Sequence, residues 1–164
     1  MIPEVKKILY ATDLSKNSSY AFFYAADMAK RYNARIVILH SIESGRHMSN
    51  AMMRRVKQPE QEMDLEEIKK NLQEFCKRTE TQMGAPCVEL VSKILVPLGH
   101  PVDEILKTAD EESCDVIVLG THGKGFLRQT FLGSVSSAVL HRTQKPVFII
   151  PLPSEKTNID LDKI

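Results

Sequence analysis

The sequence predicts an α/β fold, an open five-stranded parallel sheet with helices on both faces. Two observations predict it. Five short apolar runs alternate with four segments of helical periodicity across residues 5–150. The runs are also continuous rather than alternating: Ile36, Val37, Ile38 and Leu39 follow one another, as do Val116, Ile117, Val118 and Leu119. Strands buried on both faces require that pattern, and parallel sheets are built from such strands.

Each element follows in order. Residues 5–11 (VKKILYA) form the first strand and end in the turn and cap cluster Thr12, Asp13, Leu14 and Ser15. From residue 18 to 32, Ala21, Phe22, Ala25, Met28, Ala29 and Tyr32 recur at helical spacing, and Asn33 supplies the stop. Residues 35–42 are the second strand. Residues 43–59 break the rhythm and read as a long connector. They carry Arg46, His47, Arg54, Arg55 and Lys57 with Met48, Met52 and Met53 between them. A helix over 63–83 places Leu65, Ile68, Leu72, Phe75, Thr79 and Met83 on one side, and Gly84, Ala85 and Pro86 end it. Residues 88–96 are the third strand. Pro101 starts the next helix, whose inner face holds Val102, Ile105, Leu106 and Ala109. Residues 115–120 are the fourth strand, followed by a glycine-bearing loop over 121–132. The last helix runs from Gly133 to about Gln144, with Val135, Ala138 and Val139 inward. Val147–Ile150 is the fifth strand, and 151–164 is a polar tail.

Composition narrows the function classes. The 164 residues suit a single domain, here 1–151 with a tail over 152–164. Lys plus Arg number 22 against 21 Asp plus Glu, so the net charge of +1 offers no field to collect nucleic acid or an anionic membrane. The longest apolar stretches are about half a dozen residues, where a membrane span needs ~20. The N-terminus has no signal-peptide pattern, so a cytoplasmic protein is expected. Cys76, Cys87 and Cys114 are widely spaced and show no CxxC, which points to small buried or half-buried side chains in a reducing cytoplasm. No HxH, HExxH or close His/Asp/Glu group proposes a metal site built by the protein.

Chemistry concentrates where open parallel sheets bind ligands, at the C-terminal ends of the strands where strand order reverses. That rule selects Thr12 and Asp13, Ser41 and Ile42, and Gly120 to Gly123. The stretch after strand four carries Gly120, two residues, Gly123, nine residues, then Gly133 and Ser134. It is neither a Walker A loop nor a dinucleotide GxGxxG. Glycines permit close backbone approach, while Gly133 and Ser134 open a helix whose N–H groups and dipole favour an anion. The pattern describes a phosphate cradle.

With these residues in place the sequence resembles the universal stress protein family over residues 4–151. The likeness rests on Ala11-Thr12-Asp13-Leu14-Ser15, Leu39-His40-Ser41, Val116 through Gly123, Gly133-Ser134-Val135 and the closing Lys145-Pro146-Val147-Phe148-Ile149-Ile150. The resemblance implies an adenine nucleotide alpha hydrolase-like fold with strand order 3-2-1-4-5. It implies ATP or AMP as the bound nucleotide and a homodimer formed through Val147–Ile150; Mg²⁺ on the phosphates would need only one or two protein oxygens. It also implies roles. Gly120, Gly123, Gly133, Ser134 and Val135 meet phosphates and ribose, Asp13 with Thr12 lies by the adenine and ribose, and Leu119 and the Ser41 backbone border the base. Ala11 and Ser136 complete the implied cofactor-binding set. Relatives often carry Pro at the position of Ala11 and Val at that of Ser41.

Individual residues also have plainer roles. Asp13 and Ser134 are both natural helix caps. His40 reads as a hydrogen-bonded core histidine and His141 as a structural helix residue. His122, Lys124 and Arg128 suit either phosphate contact or a solvated loop. Three functions stay open at this point: a nucleotide-binding stress-response regulator, a slow ATPase or nucleotidyl-transfer enzyme, and a nucleotide-free interaction module.

Overall fold

A computed structural model describes residues 3–43, 65–84, 87–121 and 132–151 of the chain. Its five strands form one sheet in the order β3-β2-β1-β4-β5, and every adjacent pair is parallel. The strands are β1 (Lys7–Ala11), β2 (Arg35–Leu39), β3 (Val91–Leu95), β4 (Val116–Gly120) and β5 (Val147–Ile150). Among the described residues the α-helices are α1 (Lys16–Tyr32), α2 (Leu65–Met83), α3 (Pro101–Glu111) and α4 (Ser134–Arg142). The expected strand–helix alternation is therefore present, and so is the strand order that the family resemblance implies.

The side-chain period of two divides each central strand between two cores. Ile8 and Tyr10 of β1, Ile36 and Ile38 of β2, and Val116 and Val118 of β4 face one way. They pack against Phe22, Ala25 and Ala29 of α1 and Leu72, Phe75 and Cys76 of α2. Leu9, Val37, Ile117 and Leu119 face the other way, under Val102, Ile105 and Ala109 of α3 and Val139 of α4. Both faces are covered, so the interior positions of these strands are buried on either side. That is why the runs read as continuously apolar.

Helix ends show local chemistry at work. Ser15, in extended conformation, caps α1 and accepts from the Ser18 N–H at 3.2 Å. Asn33 stops α1 in the left-handed region at φ 53°, and its N–H returns to the Ala29 and Lys30 carbonyls. Gly84 follows α2 at φ +61°, which a glycine adopts without a Cβ clash. Pro101 sits in the first turn of α3. α4 ends at Arg142, short of the expected Gln144. Thr143 is extended and its hydroxyl accepts from the Lys145 N–H at 3.0 Å, ahead of the helix-breaking Pro146.

Strands β1, β3 and β4 begin and β3 ends within a few residues of expectation, and two boundaries differ most. Residues Val88–Leu90 form a 3-10 turn, closed by the Leu90 N–H on the Cys87 carbonyl at 3.0 Å, so β3 begins at Val91. The ladder of β2 ends at Leu39, although the chain continues to an isolated parallel bridge between Ile42 and Leu98.

The three cysteines are free and buried, as the sequence suggests. Burial pushes the Cys76 thiol up to about 12 and the Cys114 thiol up to about 11, so neither is a thiolate at neutral pH.

Candidate functional site

Parallel strands bring all five C-terminal ends to one edge of the sheet. Strand order reverses between β1 and β4, so the connections leaving those two strands part there and open a crevice.

On the β1 side, Thr12 is committed to the scaffold. Its N–H donates to the Leu39 carbonyl at 2.9 Å. Its hydroxyl lies 2.7 Å from Ser18 Oγ and accepts from the Leu14 N–H at 3.0 Å. Its carbonyl faces His40 Nδ1 at 2.9 Å. Asp13 follows, half-buried, and its Oδ1 accepts from the Ser15 N–H at 3.0 Å. The helix cap is Ser15 rather than Asp13, which leaves Asp13 in the turn itself. Between them Leu14 adopts φ 64°, a left-handed conformation that costs a non-glycine residue about 1–2 kcal/mol. Hydrogen bonds on both sides of Leu14 hold it there. Beneath the turn the Tyr10 hydroxyl donates to the Ser18 carbonyl at 2.7 Å, and burial pushes its pKa far above the ordinary phenol value.

On the β4 side the chain closes back on the strand end. The Thr121 N–H donates to the Ile150 carbonyl at 3.0 Å, and the Gly133 N–H donates to the Thr121 carbonyl at 2.7 Å. The Ser136 hydroxyl, largely buried, donates to the Gly120 carbonyl at 2.7 Å. These bonds seat the start of α4 on the end of β4 and bring Gly120 together with Gly133, Ser134, Val135 and Ser136. Gly123 lies outside the described residues, as do His122, Lys124 and Arg128.

The cradle differs in detail from the sequence reading. Gly133, not Ser134, is the helix cap, with φ −67° and ψ 161°, a conformation open to any residue. Its N–H is already engaged with Thr121. The donors a helix start leaves without intrahelical partners are therefore those of Ser134, Val135 and Ser136. The Ser134 side chain is exposed.

Charge placement separates the helix starts around this edge. The first turns of α1 and α4, which follow β1 and β4, hold no acidic residue. The first turn of α3 holds Asp103 and Glu104. The α4 dipole thus presents an uncompensated positive end beside the crevice, while the start of α3 is neutralised and the Asp13 carboxylate sits against the start of α1. An anion is favoured between β1 and β4 rather than by β3.

The remaining expected residues are spread around the same edge. Ala11 ends β1 and Leu119 lies one residue before the end of β4, both with buried side chains, Leu119 in the core under α3 and α4. Ser41 is half-buried beyond β2, its hydroxyl donating to the Gly99 carbonyl at 2.7 Å. His40 is half-buried and hydrogen-bonded at the rim, rather than sealed in the core. His141 lies on α4 with Nδ1 2.7 Å from the Ser137 carbonyl.

A model of the universal stress protein family matches residues 4–151, so the match spans both the sheet and this edge. The chain belongs to that family. It is 29% identical over 157 residues to universal stress protein MJ0577 of Methanocaldococcus jannaschii, covering 88% of this chain and 94% of that one. The solved structure of MJ0577 superposes with a TM-score of 0.69 at 25% identity, covering 93% of this chain and all (100%) of that chain. A universal stress protein from Archaeoglobus fulgidus, solved in complex with dAMP, matches with a TM-score of 0.55 at 24% identity over 93% of this chain and 100% of that chain.

Within this stress-protein fold, three features escaped the sequence reading: the strained Leu14, the use of Ser136 as a tie, and the reach of His40 and Ser41 toward neighbouring loops. The absence of acids from the first turn of α4, against Asp103 and Glu104 in that of α3, was a further signal legible in the sequence. A cavity of about 300 Å³ lies elsewhere, against β3, with Gln73, Cys76, Val88 and Lys93 in its wall. It brings no converging polar groups to the strand ends. Among the described residues no group of three or more His, Cys, Asp or Glu is placed to hold a metal. No described helix is long and apolar enough to cross a membrane.

Proposed function

We propose that this chain binds an adenine nucleotide, ATP or AMP, in the crevice between β1 and β4. It would act as a homodimeric, cytoplasmic regulator of a stress response. The observation that carries the reading is the start of α4. Three successive N–H groups, at Ser134, Val135 and Ser136, open a helix that Ser136 and Gly133 bind to the end of β4. In this reading the phosphates lie over Gly120, Gly123, Gly133, Ser134, Val135 and Ser136. The ribose lies by Asp13, beside Thr12. The base lies toward Ala11, Leu119 and the Ser41 backbone. Mg²⁺ would arrive on the phosphates, with one or two protein oxygens completing its shell. The Archaeoglobus fulgidus relative holds dAMP on the same fold. The reading for this chain rests on its own strand ends.

Residues 1–151 would form one nucleotide-binding unit, with 152–164 as a tail. Dimerisation would use β5, an edge strand with Phe148 47% exposed, because an uncovered apolar edge invites a partner strand.

Calorimetric titration of the purified chain tests the binding. ATP and AMP should saturate it well below about 1 mM, with a Kd tighter than the −4.1 kcal/mol that millimolar affinity represents, and GTP should bind more weakly. No heat from either adenine nucleotide at millimolar concentration would remove the reading.

A further inference from the structure

Two consecutive residues just beyond β2 reach in opposite directions. His40 extends to the loop after β1, placing Nδ1 2.9 Å from the Thr12 carbonyl. Ser41 extends to the loop after β3, its hydroxyl 2.7 Å from the Gly99 carbonyl. Backbone bonds reinforce the second link, with the Ile42 N–H on the Pro97 carbonyl and the Gly99 N–H on the Ile42 carbonyl, both at 2.9 Å. The His40 N–H also donates to the Leu95 carbonyl at 3.0 Å. One dipeptide thus ties three strand ends together.

We infer that His40 and Ser41 act as a two-way clip that positions the base side of the nucleotide site. This rests on the nucleotide reading above and assigns those side chains a part in it. The peptide unit is planar, so a donor that fixes a carbonyl also fixes the N–H on the other side of that unit. β1 lies between β2 and β4. With the Thr12 carbonyl drawn toward His40 on the β2 side, the Thr12–Asp13 peptide is turned so that its N–H edge faces β4 and the crevice. Ser41 does the same for the Gly99–His100 peptide, the entry to α3, and so sets the outer rim beside the base. Neither bond touches the β4–α4 cradle. The clip therefore governs affinity for the adenosine part of a ligand and not for its phosphates. The two residues are positioning residues. A valine at position 41 would border the base equally well but could not hold Gly99.

The experiment compares AMP with inorganic tripolyphosphate as probes of the base side and the cradle. His40→Leu and Ser41→Ala should each weaken AMP about fivefold, the usual worth of one hydrogen bond, and change tripolyphosphate affinity by less than about twofold. His40→Asn, which keeps a donor near the Nδ1 position, and Ser41→Thr, which keeps the hydroxyl, should restore AMP affinity. Ser41→Val should behave as Ser41→Ala. Unchanged AMP affinity in both deletion variants overturns the clip while leaving nucleotide binding intact. Parallel losses for AMP and tripolyphosphate overturn it too, because they mark general damage, as does failure of the restoring variants. An unaltered chain that binds no AMP fails at the earlier step and removes the parent reading along with the clip.

Discussion

Replacing Ser134 with proline leaves the chain folded and lowers its affinity for ATP or AMP by about ten- to a hundredfold. The fold survives because Ser134 is the first residue of α4, where proline's fixed φ suits the helix and the lost N–H has no partner within it. Gly133 already has ψ 161°, the extended conformation a residue before proline prefers. The Thr121 bond of Gly133 and the Gly120 bond of Ser136 are untouched. What disappears is a backbone donor that, in the proposed reading, faces the phosphates. A hydrogen bond to a charged group contributes about 1.5–3 kcal/mol, which sets the size of the loss. Ser134→Ala is the necessary companion, since it deletes the hydroxyl and keeps the N–H. It should weaken binding only severalfold. Equal losses in the two variants, measured by calorimetry alongside circular dichroism, would mean that the hydroxyl and not the backbone holds the anion.

The largest effect on stability is expected at Phe22. This ring is fully buried on α1, 5.1 Å from the Tyr10 ring of the central strand and 5.2 Å from the Phe75 ring of α2. It is the piece that joins both helices of one face to the sheet. Phe22→Ala should cost about 3–5 kcal/mol, the range for truncating a buried aromatic. That corresponds to a melting temperature lower by roughly 10–15 °C for a domain of this size. Urea and thermal unfolding would read it directly. A loss below about 1 kcal/mol would show that the space collapses around the missing ring, and that the α1–α2 core is less tightly packed than these ring distances imply.

The contrast between these positions also shows what sequence can reveal. The sheet was legible because burial on two faces leaves a composition no other element needs, as Ile36 through Leu39 and Val116 through Leu119 display. Helix α1 was legible because Ala21, Phe22, Ala25 and Ala29 mark one face at helical spacing, and Asn33 is among the few residues that accept the left-handed stop. Residues 88–90 were misleading. Their partial alternation suits a strand, but a 3-10 turn closes them before β3 can pair, and pairing is a property of the neighbouring chain rather than of local composition.

The switch-point rule pointed to Thr12, Asp13, Ser41 and Gly120, which stand at strand ends in the structure, yet could not apportion the hydrogen bonds. Asp13 and Ser15 are both good caps in isolation, and only the three-dimensional turn, with Leu14 at φ 64°, decides for Ser15. Gly133 looked like a donor to phosphate, but its N–H belongs to Thr121. Ser136 and Ser41 are small polar residues of no distinctive pattern, and their ties to Gly120 and Gly99 span 16 and 58 residues of sequence. Contacts of that range leave no local trace.

The near-balanced charge has a narrow meaning for binding. A net charge of +1 excludes binding through bulk positive field, and the described edge needs none. In the proposed reading its attraction for an anion comes from the α4 start, free of acidic residues, and from backbone donors, both invisible to a count of lysines and arginines.

That claim has a direct measurement: the backbone amide spectrum of ¹⁵N-labelled protein during titration with AMP. Binding by the helix start predicts large shifts at Ser134, Val135 and Ser136, accompanied by Thr12, Asp13, Ser41 and Thr121, with residues along the β3 edge unmoved. Shifts that cluster elsewhere, or a saturating titration that leaves Ser134, Val135 and Ser136 unchanged, would contradict it.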